Sequence, residues 1–120
     1  MARNVVCFGD SNTYGYCGDP KDCADGVRFN EEERWTGLLQ KALGKAYCIY
    51  EEGVVGRTTA FEDPMRPGMN GLKDLPSVLS RYGAVDLLIL MLGTNDTKPR
   101  FGLCPEEIAG GMERLVRRAK

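Results

Sequence analysis

A serine that could act as a nucleophile follows a short apolar run near the N-terminus, in the stretch CFGDSNTYG. Ser11 comes directly after Gly9 and Asp10, where an apolar strand would end and a turn would begin. A serine at the tip of a strand can present its hydroxyl to a substrate while its own backbone N–H points into the same space. Gly-Asp-Ser alone is also a common turn sequence, so other parts of the chain must distinguish the two interpretations.

Two later stretches, EEGVVGRTT and GTND, carry residue types that could stabilise an oxyanion. Gly56 lets the backbone approach a substrate closely because glycine has no Cβ. Asn95 offers a neutral amide donor, although Asn95-Asp96 alone would equally suit an ordinary loop. Since a tetrahedral oxyanion needs several fixed donors, Ser11, Gly56 and Asn95 together would form a suitable set.

The chain contains no histidine, which is the usual base for a nucleophilic serine. Without a base, the Ser11 hydroxyl is a weak nucleophile at neutral pH, and oxyanion donors alone leave only a residual rate. The 120 residues are therefore expected to be nearly inactive by themselves. Lys98 and Arg100 could bind a substrate carboxylate, but solvated loop charges are the simpler explanation.

Length and composition favour a single cytoplasmic domain. The 16 basic and 17 acidic residues nearly cancel, so the chain offers no charge pattern for nucleic acid. No apolar stretch approaches the roughly 20 residues of a membrane span, and no signal peptide is recognised. The five cysteines form no C-x-x-C pair, which predicts reduced thiols and no metal site: Cys7, Cys17, Cys23, Cys48 and Cys104.

Three apolar runs predict strands, at residues 4–8, 47–50 and 85–92. The third run is apolar on both faces apart from Asp86, which is typical of a central parallel strand. Between the runs, the apolar spacing predicts a helix from Glu31 to Gly44, with Asn30 and Glu33 as a capping box.

Two further helices follow from the spacing of the remaining apolar residues. One carries Leu75 and Val78, and Pro76 fits it only if the helix begins near Asp74. The other begins at Pro105. The order β-α-β-α-β-α predicts an α/β fold, a three-layer α/β/α sandwich in which the three glycine-bearing stretches meet at the carboxyl ends of the strands.

The stretches FGDSNTYG, EEGVVGRTTAFEDP and DLLILMLGTNDTK resemble the SGNH (GDSL) serine hydrolase superfamily, in particular its bacterial arylesterase and acyltransferase-like members. The resemblance covers nearly the whole chain. It implies a flavodoxin-like parallel sheet and hydrolysis of small acyl esters through an acyl-enzyme, with no cofactor or metal. It also implies that Ser11 is the nucleophile, and that Gly56 and Asn95 are oxyanion donors together with the Ser11 amide.

The family's D-x-x-H motif, which supplies the base and its orienting acid, has no counterpart in this sequence. Because family members are nearer to roughly 200 residues, residues 1–120 are expected to be the N-terminal part of a single, incomplete domain whose C-terminal portion is absent. The strand at 85–92 would then lack one neighbour, which leaves an apolar edge open to homo-oligomer formation.

Two other functions remain open. The same crevice could hold a small ester, acid or carbohydrate without catalysis, an alternative that the missing histidine favours. Binding of a flavin or nucleotide is less well supported, because the loop after the first strand lacks a phosphate cradle of serine, threonine and glycine.

Overall fold

The computed structural model describes residues 2–120, which form two compact units. Unit 1 contains the residues up to Val55 together with Ala84–Met91. Unit 2 contains Gly56–Gly83 and Leu92–Lys120. Each unit is described separately below.

Unit 1 is built on a parallel sheet of three strands: β1 (Arg3–Gly9), β2 (Tyr47–Gly53) and β3 (Leu87–Met91). The strand order is β2-β1-β3, and Gly9 is in register with both Gly53 and Met91. Side chains on both faces of β1 are buried, as the unbroken apolar run in the sequence predicts.

The third strand lies at an edge of the described sheet, which agrees with the expectation that the strand at 85–92 lacks one neighbour in these residues. Leu87 and Met91 remain about half exposed, at 53% and 43%. The strand is also shorter than predicted, because Asp86 bonds to Asn4 through both its backbone N–H and its carboxylate before the ladder begins.

Residues 2–120 contain four α-helices besides shorter 3₁₀ turns: α1 (Ser11–Tyr14), α2 (Trp35–Leu43), α3 (Gly71–Leu79) and α4 (Pro105–Ala119). α1 and α2 belong to unit 1, and α3 packs against α4 in unit 2. The start of α4 at Pro105 is confirmed. Among residues 2–120, no helix has the length and apolar character needed to cross a bilayer.

The beginning of α2 differs from the prediction, since the helix starts at Trp35 and not at Glu31. Asn30 begins a turn instead, in which its carbonyl accepts from the backbone N–H groups of Glu33 and Arg34 at 3.0 and 2.9 Å. Arg34 is extended and sends its guanidinium to Glu51 on β2. Because this ion pair holds Arg34 in an extended conformation, the helix does not begin at the residues that the capping box indicates. The predicted end at Gly44 is confirmed.

The beginning of α3 also differs, since the helix starts at Gly71 and Pro76 occupies its sixth position. The side chain of Asn70 caps the helix by accepting from the N–H of Lys73 at 3.4 Å. The first two N–H groups of the helix donate to the carbonyls of Thr58 and Thr59 at 3.0 and 2.8 Å. Those bonds to a distant segment fix a start that Pro76 alone would not favour.

The segment between α1 and α2 is closed by an antiparallel bridge between Tyr16 and Arg28. Inside this loop Cys17 and Cys23 form a disulfide with their Cα atoms 6.4 Å apart. The expectation of reduced thiols is therefore wrong for this pair, because the closing bridge brings together two cysteines whose spacing matches no motif. The remaining cysteines are free thiols: Cys7, Cys48 and Cys104.

Candidate active site

Ser11 is the first residue of α1, which begins directly after β1 ends. Asp10 is the N-cap between them, and its carboxylate accepts from the N–H of Asn12 at 2.9 Å. The carbonyl of Asp10 accepts from Thr13 and Tyr14 at 3.1 and 2.9 Å, which closes the turn. The serine therefore lies, partly exposed, at a strand-to-helix turn beyond the carboxyl end of a buried parallel strand.

Two glycines leave room for this turn. A Cβ on Gly9 would overlap the Thr13 hydroxyl and lie 2.9 Å from the Met91 carbonyl oxygen. A Cβ on Gly53 would overlap the backbone nitrogen of Tyr14. Gly9 and Gly53 are register partners at the ends of β1 and β2. α1 packs so closely on these strand ends that a side chain larger than that of glycine would not fit at either position.

Two arginines hold the other end of α1. Arg28 donates from Nε to the Tyr14 carbonyl at 2.6 Å, and its guanidinium lies 4.2 Å from the centroid of the Tyr14 ring. Gly15 ends the helix in the left-handed conformation, with a φ of 86°. The aliphatic part of Arg34 packs where a Cβ on Gly15 would stand. The sequence indicated neither arginine, because both contacts cross long loops.

The guanidinium of Arg34 forms a two-pronged ion pair with Glu51, at 2.8 and 3.0 Å, and Thr36 also donates to this carboxylate. Burial raises the pKa of Glu51, but the hydrogen bonds from Arg34 and Thr36 and the charge of Arg34 outweigh it. The pKa of Glu51 therefore lies below its ordinary value of 4.5. The pair is ionised at neutral pH and joins β2 to the start of α2.

Gly56 is the first residue of unit 2 and has a φ of 93°, in the left-handed region that favours glycine. A Cβ at this position would lie 2.6 Å from Nη1 of Arg66 and 3.1 Å from Sδ of Met69. Both the conformation and the surrounding atoms therefore call for glycine here.

Asn95 lies in a one-turn 3₁₀ helix, Asn95–Thr97, and is 8% exposed. Its Nδ2 donates to the carbonyl of Arg57 at 3.0 Å. An amide nitrogen carries two hydrogens, so this bond leaves one for another acceptor. The structure thus brings the Asn95 side chain to Arg57, the residue that follows Gly56. Arg57 and Asn95 are 38 residues apart in the sequence.

Asp96 is a buried carboxylate in the same turn that the sequence analysis treated only as a loop residue. It accepts from the backbone N–H of Thr59 at 3.1 and 3.3 Å and from the Thr59 hydroxyl at 2.5 Å. Both residues are 0% exposed. Its partner lies 37 residues away, and no spacing within the sequence signals such a contact.

Arg100, one of the two basic residues considered as ligands of a substrate carboxylate, forms an ion pair within the protein. Arg100 donates to Asp63 at 2.5 Å, and this hydrogen bond lowers the pKa of the Asp63 carboxyl, with a smaller contribution from the charge of Lys98. Arg100 is therefore already paired with a protein carboxylate.

Within residues 2–120, no group of three or more acidic, cysteine or histidine side chains is placed to hold a metal ion.

The structure places the three predicted site residues in two units. Ser11 belongs to unit 1, whereas Gly56 and Asn95 belong to unit 2, where Asn95 contacts the residue after Gly56. The meeting of all three around one substrate oxygen stays a prediction.

Comparison with known proteins identifies the family of the chain. The sequence profile of the GDSL-like Lipase/Acylhydrolase family matches residues 7–120. No curated protein matches the chain at a significant level.

Several solved structures are similar over almost the whole chain. The native aryl esterase of M. smegmatis is 45% identical, with a TM-score of 0.91, over 98% of this chain and 54% of its own. Est24, a carbohydrate acetylesterase from Sinorhizobium meliloti, is 46% identical, with a TM-score of 0.89, over 97% of this chain and 54% of its own. AlinE4, an SGNH-hydrolase family esterase, is 28% identical, with a TM-score of 0.70, over 98% of this chain and 52% of its own.

The chain spans about half the length of these relatives. The family and the α/β fold class predicted from the sequence are both confirmed by these matches. The chain belongs to the GDSL-like lipase/acylhydrolase family and has the SGNH hydrolase fold.

Proposed function

We propose that the chain is the nucleophile-bearing part of a single-domain serine esterase that hydrolyses small acyl esters. Aryl esters and acetylated carbohydrates are the substrate classes named for its relatives, and we extend them to this chain. The observation that carries the proposal is the position of Ser11, at the turn between a buried parallel strand and a helix, in a member of this family.

In the proposed reaction, the Ser11 oxygen attacks the ester carbonyl carbon and its proton passes to a base. The base must come from outside these residues if it is a histidine, because the 120 residues contain none. The carbonyl oxygen takes up the negative charge and accepts from the N–H groups of Ser11 and Gly56 and from the second amide hydrogen of Asn95.

Collapse of the tetrahedral intermediate breaks the bond to the alcohol, which leaves with the proton from the base. The acyl group remains on the Ser11 oxygen. Water then attacks this acyl-enzyme with the same base and the same donors, which releases the acid and restores the serine. The residues of this chain thus supply the nucleophile and the anion-stabilising groups, and no step needs a metal or a cofactor.

The test uses the protein expressed from its complete reading frame and a short-chain aryl acetate. Ser11→Ala should lower kcat at least about 10⁴-fold, since removal of a nucleophile leaves only binding and oxyanion stabilisation. Ser80→Ala is the control, because the Ser80 hydroxyl is exposed and donates only to the Ser77 carbonyl. Full activity in Ser11→Ala would refute the proposal. A protein that binds acyl ligands without turnover would establish the non-catalytic alternative.

A further inference from the structure

The segment that follows Gly56 is held by hydrogen bonds on two sides. On one side, the N–H of Thr58 donates to the Met69 carbonyl at 2.8 Å, and the carbonyls of Thr58 and Thr59 accept from the start of α3. Of the backbone N–H and C=O groups of Thr58 and Thr59, only the buried N–H of Thr59 takes no part in these bonds. Its acceptor is the carboxylate of Asp96.

Two neighbouring side chains hold the other side of this segment. Asn95 binds the carbonyl of Arg57, and Asp96 binds the N–H and hydroxyl of Thr59. The two bound residues flank Thr58, which forms a parallel bridge with Asn70. The turn that carries Asn95 is therefore fixed to the segment of Gly56 at two points.

The side chain of Thr59 is also confined by α4. A Cβ on Gly111 would overlap the Thr59 hydroxyl and lie 3.1 Å from its Cβ. Gly111 thus makes room for Thr59 beside Asp96. The neighbouring Gly110 has no atom within 4 Å of such a Cβ.

We propose that Asp96 is a positioning residue that acts through Thr59 to keep the Gly56 N–H and the Asn95 amide at a fixed spacing. This inference rests on the proposed function, in which those two groups bind the oxyanion. Oxyanion donors stabilise a transition state only when they are already in place, and a displacement of about 1 Å can cost on the order of a hundredfold in rate. A carboxylate that accepts two buried hydrogen bonds is suited to this task, because bonds to a charged acceptor are roughly twice as strong as neutral ones.

The test measures kcat and KM separately, with the complete protein and an aryl acetate. Asp96→Asn and Thr59→Val should each lower kcat about ten- to a hundredfold, with KM changed less than about threefold, because the donors act on the transition state. Thr59→Ser keeps the hydroxyl and should stay within about threefold of the parent. Ser77→Ala is the control, since the exposed Ser77 hydroxyl donates only to the Asp74 carbonyl of its own helix.

A second pair of variants tests the same inference without replacing Asp96 or Thr59. Gly111→Ala should push Thr59 away from Asp96 and lower kcat, whereas Gly110→Ala in the same helix should leave it unchanged. This pair carries the test if Asp96→Asn fails to fold.

The outcomes separate the inference from the proposed function. If Ser11→Ala stays active, the proposed function fails and the inference fails with it. If Ser11→Ala is inactive but Thr59→Val and Gly111→Ala keep the parent kcat, only the inference is overturned, even where their melting temperatures fall. A loss of kcat in both, with rescue by Thr59→Ser, supports it.

Discussion

Gly9 and Gly53 face each other at the last register position of β1 and β2, and a side chain on either would overlap the helical turn that carries Ser11. The position of the serine thus depends on two residues that have no chemistry of their own. It follows that even an added methyl group beneath this turn should lower the stability of the protein.

Gly53→Ala should destabilise unit 1 by about 1–3 kcal/mol, because the new methyl group overlaps the backbone nitrogen of Tyr14, which cannot rotate away. Urea denaturation of the complete protein measures this free energy. Gly83→Ala is the control, since a Cβ there would meet no atom within 4 Å. Equal stability of the two variants would contradict the prediction.

The ion pair between Arg34 and Glu51 predicts a dependence of stability on pH. The pKa of Glu51 is lowered in the folded state, so its stabilising contribution is complete above the ordinary value of 4.5 and is lost as the pH falls through the folded value below it. The free energy of unfolding should be measured between about pH 7 and pH 3 for the parent and for Glu51→Gln.

The parent should be more stable at neutral pH, and the difference between the two proteins should shrink below pH 4.5. Other carboxyls with lowered pKa values titrate in both proteins, so the difference isolates Glu51. A difference that stays constant down to pH 3 would show that the charge of Glu51 contributes nothing.

Pro76→Ala should stabilise the chain, because Pro76 is exposed at the sixth position of α3 and has no N–H to donate to the Leu72 carbonyl. The gain should approach about 1–3 kcal/mol, the range spanned by a restored helical bond and removal of a proline from a helix interior. Pro105→Ala is the matched control, since a proline at the first position of a helix costs nothing. A melting-temperature shift that is the same for both would count against this account.

These helices show which features the sequence could predict. The start of α4 follows from local signals, a proline and two glutamates in the first turn, and it was predicted correctly. The start of α2 depends on a bond from Arg34 to the distant Glu51, which local capping rules do not anticipate. The start of α3 carries a local signal, the Asn70 cap, but Pro76 predicts a later start, and the bonds to Thr58 and Thr59 outweigh it. In the same way, the types and spacing of Ser11, Gly56 and Asn95 are visible in the sequence, but the contact between Asp96 and Thr59 is visible only after folding.

The cysteines should differ sharply in reactivity towards iodoacetamide under native conditions. Cys104 is exposed and should react first, whereas burial, together with the charge of Glu51, raises the pKa of the Cys7 thiol to about 11 and should protect it. Cys17 and Cys23 should stay unlabelled unless a reductant is added. Peptide mass spectrometry distinguishes the sites, and labelling of Cys17 without reductant would show that the disulfide is absent.

Asn95→Ala removes both the bond to the Arg57 carbonyl and the free amide hydrogen assigned to the oxyanion. If the proposed function is correct, kcat of the complete protein on an aryl acetate should fall about 10²- to 10³-fold, the usual cost of losing one oxyanion donor, with little change in KM. Asn4→Ala is the matched control, because the Asn4 amide also donates to a backbone carbonyl, that of Ala84 at 2.8 Å, but has no assigned role in catalysis. If Asn95→Ala keeps kcat within about threefold of the parent, the amide is not a donor to the oxyanion, since such a change is far below the cost of a lost donor.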